Sequence, residues 1–292
     1  MANNTDKKFT GSNLQLLIII LFLSLMTGCA GTTSLFFYPD TQWYSTPKDV
    51  KQPFENIVLT AVDGTRLHGW WLPAEGNNSD TVVLYLHGNA QNISTHSHSI
   101  YWLPKSGIDV FALDYRGYGA SQGDPALPEI FQDIEAATLW IRRKFPKKKL
   151  IVVGQSIGAA LAINFVAKAG EQYAVDGIVL DAAFISYGTI ARHVTSKSIF
   201  GWFAYPFTIL VPSTWDPKNI VSEIKVPVMI MHSKDDRVIP YDHGVEIYEQ
   251  MIKRGNNRVC WLESHGGHIA SFSFEDIRRQ TLDFILRHEC SE

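Results

Sequence analysis

Leu150-Ile151-Val152-Val153-Gly154-Gln155-Ser156-Ile157-Gly158-Ala159-Ala160 is the stretch on which the reading of this chain turns. Four apolar residues at 150–153 predict a buried strand, and the small residues that follow predict a helix over Ile157–Ala169. Between them, Gly154-Gln155-Ser156-Ile157-Gly158 matches the G-x-S-x-G nucleophile-elbow pattern in the strand–turn–helix setting it requires. The serine occupies a strained turn, small neighbours let that turn pack, and its hydroxyl is presented at the positive end of a helix. An ordinary βα turn is the other reading of the same five residues.

Working outward, apolar β-rich runs recur at Thr81–Leu86, 110–113, 177–180, 228–231 and 258–262. Runs at 56–61 and 67–71 flank Asp63-Gly64 and predict a hairpin at the start. Helical patterns lie between several runs. Pro128-Glu129 opens one that carries an apolar stripe through Ile130, Ile134, Ala137 and Ile141 to Phe145, and others cover 241–253 and 274–288. A hairpin followed by strand–helix alternation predicts an α/β fold, one domain over 54–292, with a mostly parallel sheet and helices on both faces. The interval at about 187–225 breaks the rhythm and holds an aromatic run from Phe200 to Phe207, so it reads either as a short helical lid insertion or as aromatics completing the core under a long loop.

The 292 residues carry 26 Lys+Arg against 29 Asp+Glu, a balance that argues against a nucleic-acid binder. Lys147-Lys148-Lys149 is a short solvated turn rather than a basic patch. Gly117 and Gly119 lack the third glycine spacing and the helix of a dinucleotide fingerprint, and no P-loop is present. His96-Ser97-His98 has no neighbouring carboxylates and reads as a solvated helix face rather than a metal pair. Three Cys are too few for a disulfide scaffold or a structural zinc site.

A nucleophilic serine needs a base, and the base needs an acid to orient it. In this strand–helix order the acid and then the histidine follow the serine. His232-Ser233-Lys234-Asp235-Asp236-Arg237-Val238-Ile239-Pro240 stands past the strand at 228–231, where ligand sites form in open α/β sheets. Asp236 is the candidate acid because Asp236-Arg237-Val238-Ile239-Pro240 resembles the D-x-x-[VI]-P that follows the acid strand in many serine hydrolases, with Asp235 and the more distant Asp181 as competitors. In Glu263-Ser264-His265-Gly266-Gly267-His268, the glycine-flanked His268 is the candidate base and His265 a loop residue. The oxyanion of the reaction needs two N–H donors, expected from Ile157 and from Asn89 in the loop His87-Gly88-Asn89-Ala90-Gln91-Asn92. There Gly88 would permit the backbone turn that points the Asn89 amide inward, and His87 would brace the loop.

The first thirty residues are a different kind of sequence. Lys7 and Lys8 precede an apolar run over 14–26, too short to span a bilayer but suited to a signal-peptide core. Thr27-Gly28-Cys29 at its end resembles a bacterial lipobox, with Met26 in place of the usual Leu. The expectation is a lipoprotein signal peptide over 1–28, lipidation at Cys29, and a linker through residue 53. An uncleaved anchor helix is the alternative, and membrane attachment follows either way. Ala30 resembles the residue found in lipoproteins sent to the outer membrane of Gram-negative envelopes. Once Cys29 carries lipid, Cys260 and Cys290 remain, and an exported compartment permits them to pair.

Together, HGNAQN, DYRGYGASQG, GQSIGAA, DDRVIP and the final GGH resemble the α/β-hydrolase superfamily over about residues 54–288. They look closest to small α/β-hydrolase-domain serine hydrolases, relatives of depalmitoylating thioesterases, lysophospholipid-cleaving enzymes and the serine aminopeptidase-like branch. Ser233 departs from the glycine usual beside this histidine in relatives. The resemblance implies an eight-stranded sheet with an antiparallel second strand. It also implies hydrolysis through an acyl-enzyme on Ser156, His268 and Asp236, with no metal or organic cofactor needed. The expected function is a membrane-anchored esterase or thioesterase acting on a small-molecule or lipid acyl substrate. An aminopeptidase-like peptidase, an acyltransferase and a catalytically silent binding lipoprotein remain open beside it.

Overall fold

The computed structural model describes residues 32–76, 79–197 and 201–290. The signal peptide read at 1–28 and the lipidation site Cys29 lie outside the described residues.

Eight strands form one sheet: β1 Glu55–Thr60, β2 Arg66–Leu72, β3 Thr81–Leu86, β4 Asp109–Asp114, β5 Lys149–Gln155, β6 Val175–Asp181, β7 Val228–Ser233 and β8 Val259–Ser264. Their spatial order is β8-β7-β6-β5-β3-β4-β2-β1. β2 runs antiparallel to both of its neighbours, and every other pairing in the sheet is parallel. β1 and β2 meet through the Asp63-Gly64 turn, in which Asp63 accepts the Thr65 amide and the Arg116 guanidinium.

The long helices are α1 Glu129–Lys144, α2 Ile157–Ala169, α3 Tyr187–Lys197, α4 Asp242–Lys253 and α5 Glu275–Arg287. Strand side chains alternate between two dry faces. Leu84, Leu86, Leu113, Val152, Leu180 and Ile230 point to the face covered by α1, α2 and α4. Val83, Tyr85, Ala112, Val153, Val179 and Met231 point to the other, covered by residues 93–108 and by Ile277, Phe284 and Ile285 of α5. Burial on both faces explains why these strands read as continuous apolar runs. A disulfide joins Cys260 on β8 to Cys290 just beyond α5, with a Cα–Cα distance of 5.3 Å.

The chain passes from β3 to β4 on one side and returns to β5 on the other, so a crevice opens outside the carboxyl ends of β3 and β5. Leu86 pairs with Gly154 in register, which sets the loop after β3 against the turn after β5.

Two segments frame that crevice. Within 187–225, α3 is followed by short helical turns at Gly201–Ala204 and Tyr205–Leu210. Val221 and Ile224 of this segment are core residues, whereas Tyr205, Ile209 and Leu210 are exposed. This part of the aromatic run therefore does not complete the core. The second segment is the lead-in. Phe37 is buried, Tyr38–Pro39 pairs in parallel with Ala90–Gln91, and Asn92 donates to the carbonyls of Asp40 and Gln42.

Candidate active site

Ser156 lies at φ 55°, ψ −118°, between the end of β5 and the first residue of α2. That conformation is strained for any residue with a side chain, and the two flanking glycines hold it in place. A Cβ on Gly158 would lie 2.2 Å from the Leu86 carbonyl oxygen, and one on Gly154 would lie 2.5 Å from the Gly158 carbonyl oxygen. Only bare backbone lets the turn nest this closely against β3. The Ser156 amide donates to the Asp181 carbonyl at 2.9 Å, tying the turn to β6.

His268 arrives on the loop after β8. Its Nε2 stands 2.9 Å from Ser156 Oγ and its Nδ1 stands 2.7 Å from Asp236 Oδ2. The second Asp236 oxygen accepts the amides of Val238 and Ile239 at 2.8 and 2.9 Å. Burial alone would push the Asp236 carboxyl up. The hydrogen bonds from His232, His268 and the Ile239 amide outweigh it and hold the group well below the ordinary carboxylate range. It is thus an anion at neutral pH, fixed in orientation beneath the imidazole.

The two competing acids stand elsewhere. Asp235 is exposed, with its amide bonded to Ser233 Oγ. Asp181 is buried and bonds to Ser271 Oγ at 2.6 Å and Gln155 Nε2 at 2.7 Å. Its carboxyl is pushed up by burial, with those two bonds opposing the rise. His265 is exposed beside Asp276, away from the serine.

A cavity of about 360 Å³ opens beside Ser156. Its walls include Phe36, Phe184, Ile190, Val194, Val238 and Ile269, with Asn89 and Ile157 at the serine end. No acidic residue lines it among the described residues. Asn89 is held by its side chain, whose oxygen accepts the Tyr38 amide at 3.0 Å and the Tyr118 hydroxyl at 3.2 Å. The lead-in strand thereby fixes the loop that carries Asn89.

Three local features differ from expectation or escaped it. His96 is not on a solvated face: it lines the cavity, stacks on His87, and its Nε2 meets the Ala90 carbonyl at 2.8 Å. Burial keeps His87 and His96 below the ordinary histidine range, so both rings are neutral beside the cavity. Gly88 is not in a left-handed conformation; its missing side chain makes room for the His96 ring, which would lie 3.0 Å from a Cβ. Beneath the serine runs a buried polar chain with no motif to announce it. Gln155 accepts from Tyr85 and Ser99 and donates to Asp181, while Ser271 joins Asp181 to Ser264. Ser264 and Ser271 bracket His268, so this chain of bonds ties the histidine loop to β5 and β6.

Comparison with known proteins agrees with this architecture. The family model described as serine aminopeptidase, S33, matches residues 77–214. The uncharacterized protein YfhR of Salmonella typhimurium (strain LT2) is 32% identical over 287 residues, covering 94% of this chain and 92% of its own. YfhR of Escherichia coli (strain K12) is 31% identical over 264 residues, covering 87% of each chain. Among solved structures, the Pyrococcus furiosus esterase Pf2001 superposes with a TM-score of 0.69 at 25% identity, covering 86% of this chain and 97% of its own. The chain belongs to the α/β-hydrolase superfamily, in the group that includes YfhR, and is a hydrolase of that family.

Proposed function

We propose that this protein is a membrane-anchored serine hydrolase that cleaves ester or thioester bonds of a hydrophobic acyl substrate. The observation that carries the reading is the line Ser156 Oγ–His268 Nε2 at 2.9 Å and His268 Nδ1–Asp236 Oδ2 at 2.7 Å, set against an apolar cavity.

In the proposed reaction Ser156 Oγ attacks the substrate carbonyl carbon as His268 Nε2 removes its proton. The Asp236 anion holds Nδ1 protonated and stabilises the imidazolium that forms. The carbonyl oxygen becomes an oxyanion, and we assign the backbone N–H groups of Ile157 and Asn89 as its donors, the first at the positive end of α2. Collapse of the intermediate breaks the bond to the leaving alcohol or thiol, which takes the proton from His268. Water, deprotonated by the same imidazole, then attacks the acyl-serine and releases the acid, restoring Ser156. Apart from the substrate and one water, every group these steps use belongs to the chain.

The lining of the cavity favours an acyl substrate over a peptide with a free N terminus. An aminopeptidase must hold a cationic amine, and the cavity walls set apolar side chains beside the neutral ring of His96 and offer no carboxylate among the described residues. Attachment to the cell envelope through Cys29 is supported by the sequence at 14–29 and by the Cys260–Cys290 disulfide, which suits an oxidising compartment.

The test is labelling by a fluorophosphonate probe, comparing wild type with Ser156→Ala, His268→Ala and Asp236→Asn. Labelling in wild type that vanishes with Ser156→Ala and falls sharply with the other two is expected. Esters, thioesters and aminoacyl amides assayed next should rank with the acyl substrates first. A folded wild type that takes no label would refute the reading and favour a binding lipoprotein.

A further inference from the structure

Beyond its chemistry, the site has a mouth, and three observations bear on what that mouth faces. We propose that it docks on the anionic surface of the same bilayer that holds the N terminus, with residues 205–210 seated at the headgroups. This inference rests on the membrane-attached reading above.

The first observation is reach. Thr33 is built into the body, its Oγ1 accepting the Leu127 amide at 3.1 Å, and Phe36 forms a wall of the cavity. The stretch from Cys29 to Thr33 spans at most about 14 Å fully extended, and the stretch from Met26 spans at most about 25 Å. Whichever of the two attachments operates, the bilayer begins within one short reach of the cavity wall. With lipid on Cys29 that reach is shorter than β5, whose seven residues Lys149–Gln155 span about 20 Å, so the cavity end of the sheet lies nearer the bilayer than the opposite pole does.

The second observation is exposed apolar surface at this same place. Ile209 is 83% exposed and Leu210 49%, on the helical turns that pack against α3. Val194 of α3 and Val238 are half exposed where they line the cavity. Lys197 Nζ donates to the Arg237 carbonyl at 2.8 Å, so α3 and the loop carrying Val238 meet at one rim. Exposed apolar side chains on α3 and on the turns packed against it, beside α3 residues that line an apolar cavity, mark an interaction site rather than scattered exposure.

The third observation is charge. Residues 187–215 contain no Asp or Glu and carry Arg192 and Lys197, both exposed. Arg237 adds a third exposed cation beside Val238, on the loop that also carries exposed Asp235 and Lys234, the latter paired with Glu263 at 2.7 Å. Exposed apolar side chains flanked by cations, on a segment without acids, fit the boundary between headgroups and acyl chains of an anionic leaflet. An acyl chain would then pass from bilayer to cavity without crossing water.

The experiment uses the full-length chain mixed with phosphatidylcholine vesicles, with and without phosphatidylglycerol. Wild type is compared with Ile209→Asp/Leu210→Asp and with Arg192→Gln/Lys197→Gln, none of which touches the serine, histidine or acid. Flotation reads attachment; hydrolysis is read on a soluble short-chain nitrophenyl ester and on a long-chain ester embedded in the vesicles. All three proteins are expected to float and to turn over the soluble ester equally. The Asp pair should cleave the embedded ester at least about tenfold more slowly, and the Gln pair should lose the preference for phosphatidylglycerol. Hydrogen exchange across 205–211, slowed on vesicles in wild type but not in the Asp pair, reads docking without any turnover. Equal effects on both esters, or none on either, would overturn the docking. A wild type that fails to float removes the attachment reading itself, and the docking with it.

Discussion

Replacing Ser156 by glycine should make the protein more stable than replacing it by alanine. Both changes delete the hydroxyl and its bond to His268, and both leave the backbone amide that donates to Asp181. They differ in the backbone: φ 55°, ψ −118° is strained for alanine and open to glycine. Such strain costs about 1–3 kcal/mol. Glycine gives back roughly 0.4–1 kcal/mol through the added freedom of the unfolded chain. Central values leave glycine ahead by about 1 kcal/mol, a shift of roughly 2–4 °C in Tm for a domain near this size. Urea unfolding followed by tryptophan fluorescence measures the difference, provided the two variants share one m-value. Both variants should be inactive. A glycine variant equal to or less stable than the alanine variant would refute the argument that the turn stores strain held by Gly154 and Gly158.

Asp236→Asn should lower ester turnover by about 10³–10⁴ with little change in KM, because it leaves His268 without the anion that sets its tautomer. Asp181→Asn or Ser271→Ala should act more mildly, about tenfold in kcat, since each removes one bond bracing the His268 loop; loss equal to that of Asp236→Asn would make Asp181 the acid. Acid should destabilise the fold through His243, which burial and the nearby His232 hold down to about 4. A histidine depressed in the folded state stabilises above its unfolded value and loses that contribution as pH falls from about 6.5 toward 4. Between pH 7 and 5 this single group accounts for about 2 kcal/mol, checked by urea unfolding at both pH values with His243→Gln as the flattened control. Reducing the Cys260–Cys290 bridge, which closes a loop with a sequence separation of 30, should cost roughly 3–4 kcal/mol of stability while leaving the serine reactive to the probe.

Much of the sheet was legible because its inner strands are buried on both faces, so those announced themselves as apolar runs bounded by turns. Thr81–Leu86 and Ile157–Ala169 have the same limits in the sequence reading and in the structure, whereas β5 extends the run at 150–153 through Gln155, because the two polar ends of that strand carry no hydrophobic signal. The G-x-S-x-G turn was readable for a related reason: close nesting of backbone on backbone forbids side chains at two fixed positions, and that exclusion is written in the residue types. Ser156, Asp236 and His268 were named from their places after strands and, for the acid and the base, from the resemblance of DRVIP and GGH to serine-hydrolase patterns; the structure brings those three side chains together. Ser156–His268 and His268–Asp236 are nevertheless distances that no local pattern contains.

What only the tertiary structure decided was which polar groups share buried space. Gln155, Asp181, Ser264 and Ser271 come from three strands and a loop, and ordinary residue types at scattered positions leave no trace of the bonds they form. Asp181 and Asp236 each follow a strand, and the sequence ranks Asp236 first without showing what either side chain meets. The folded chain separates them by aiming one at His268 and enclosing the other between Gln155 and Ser271. His96 likewise looked like a surface residue until the Ala90 carbonyl and the His87 ring drew it against the cavity. Periodicity and steric exclusion act along the chain and so survive in its order; hydrogen-bond pairing and cavity lining act across it and exist only once the strands have met.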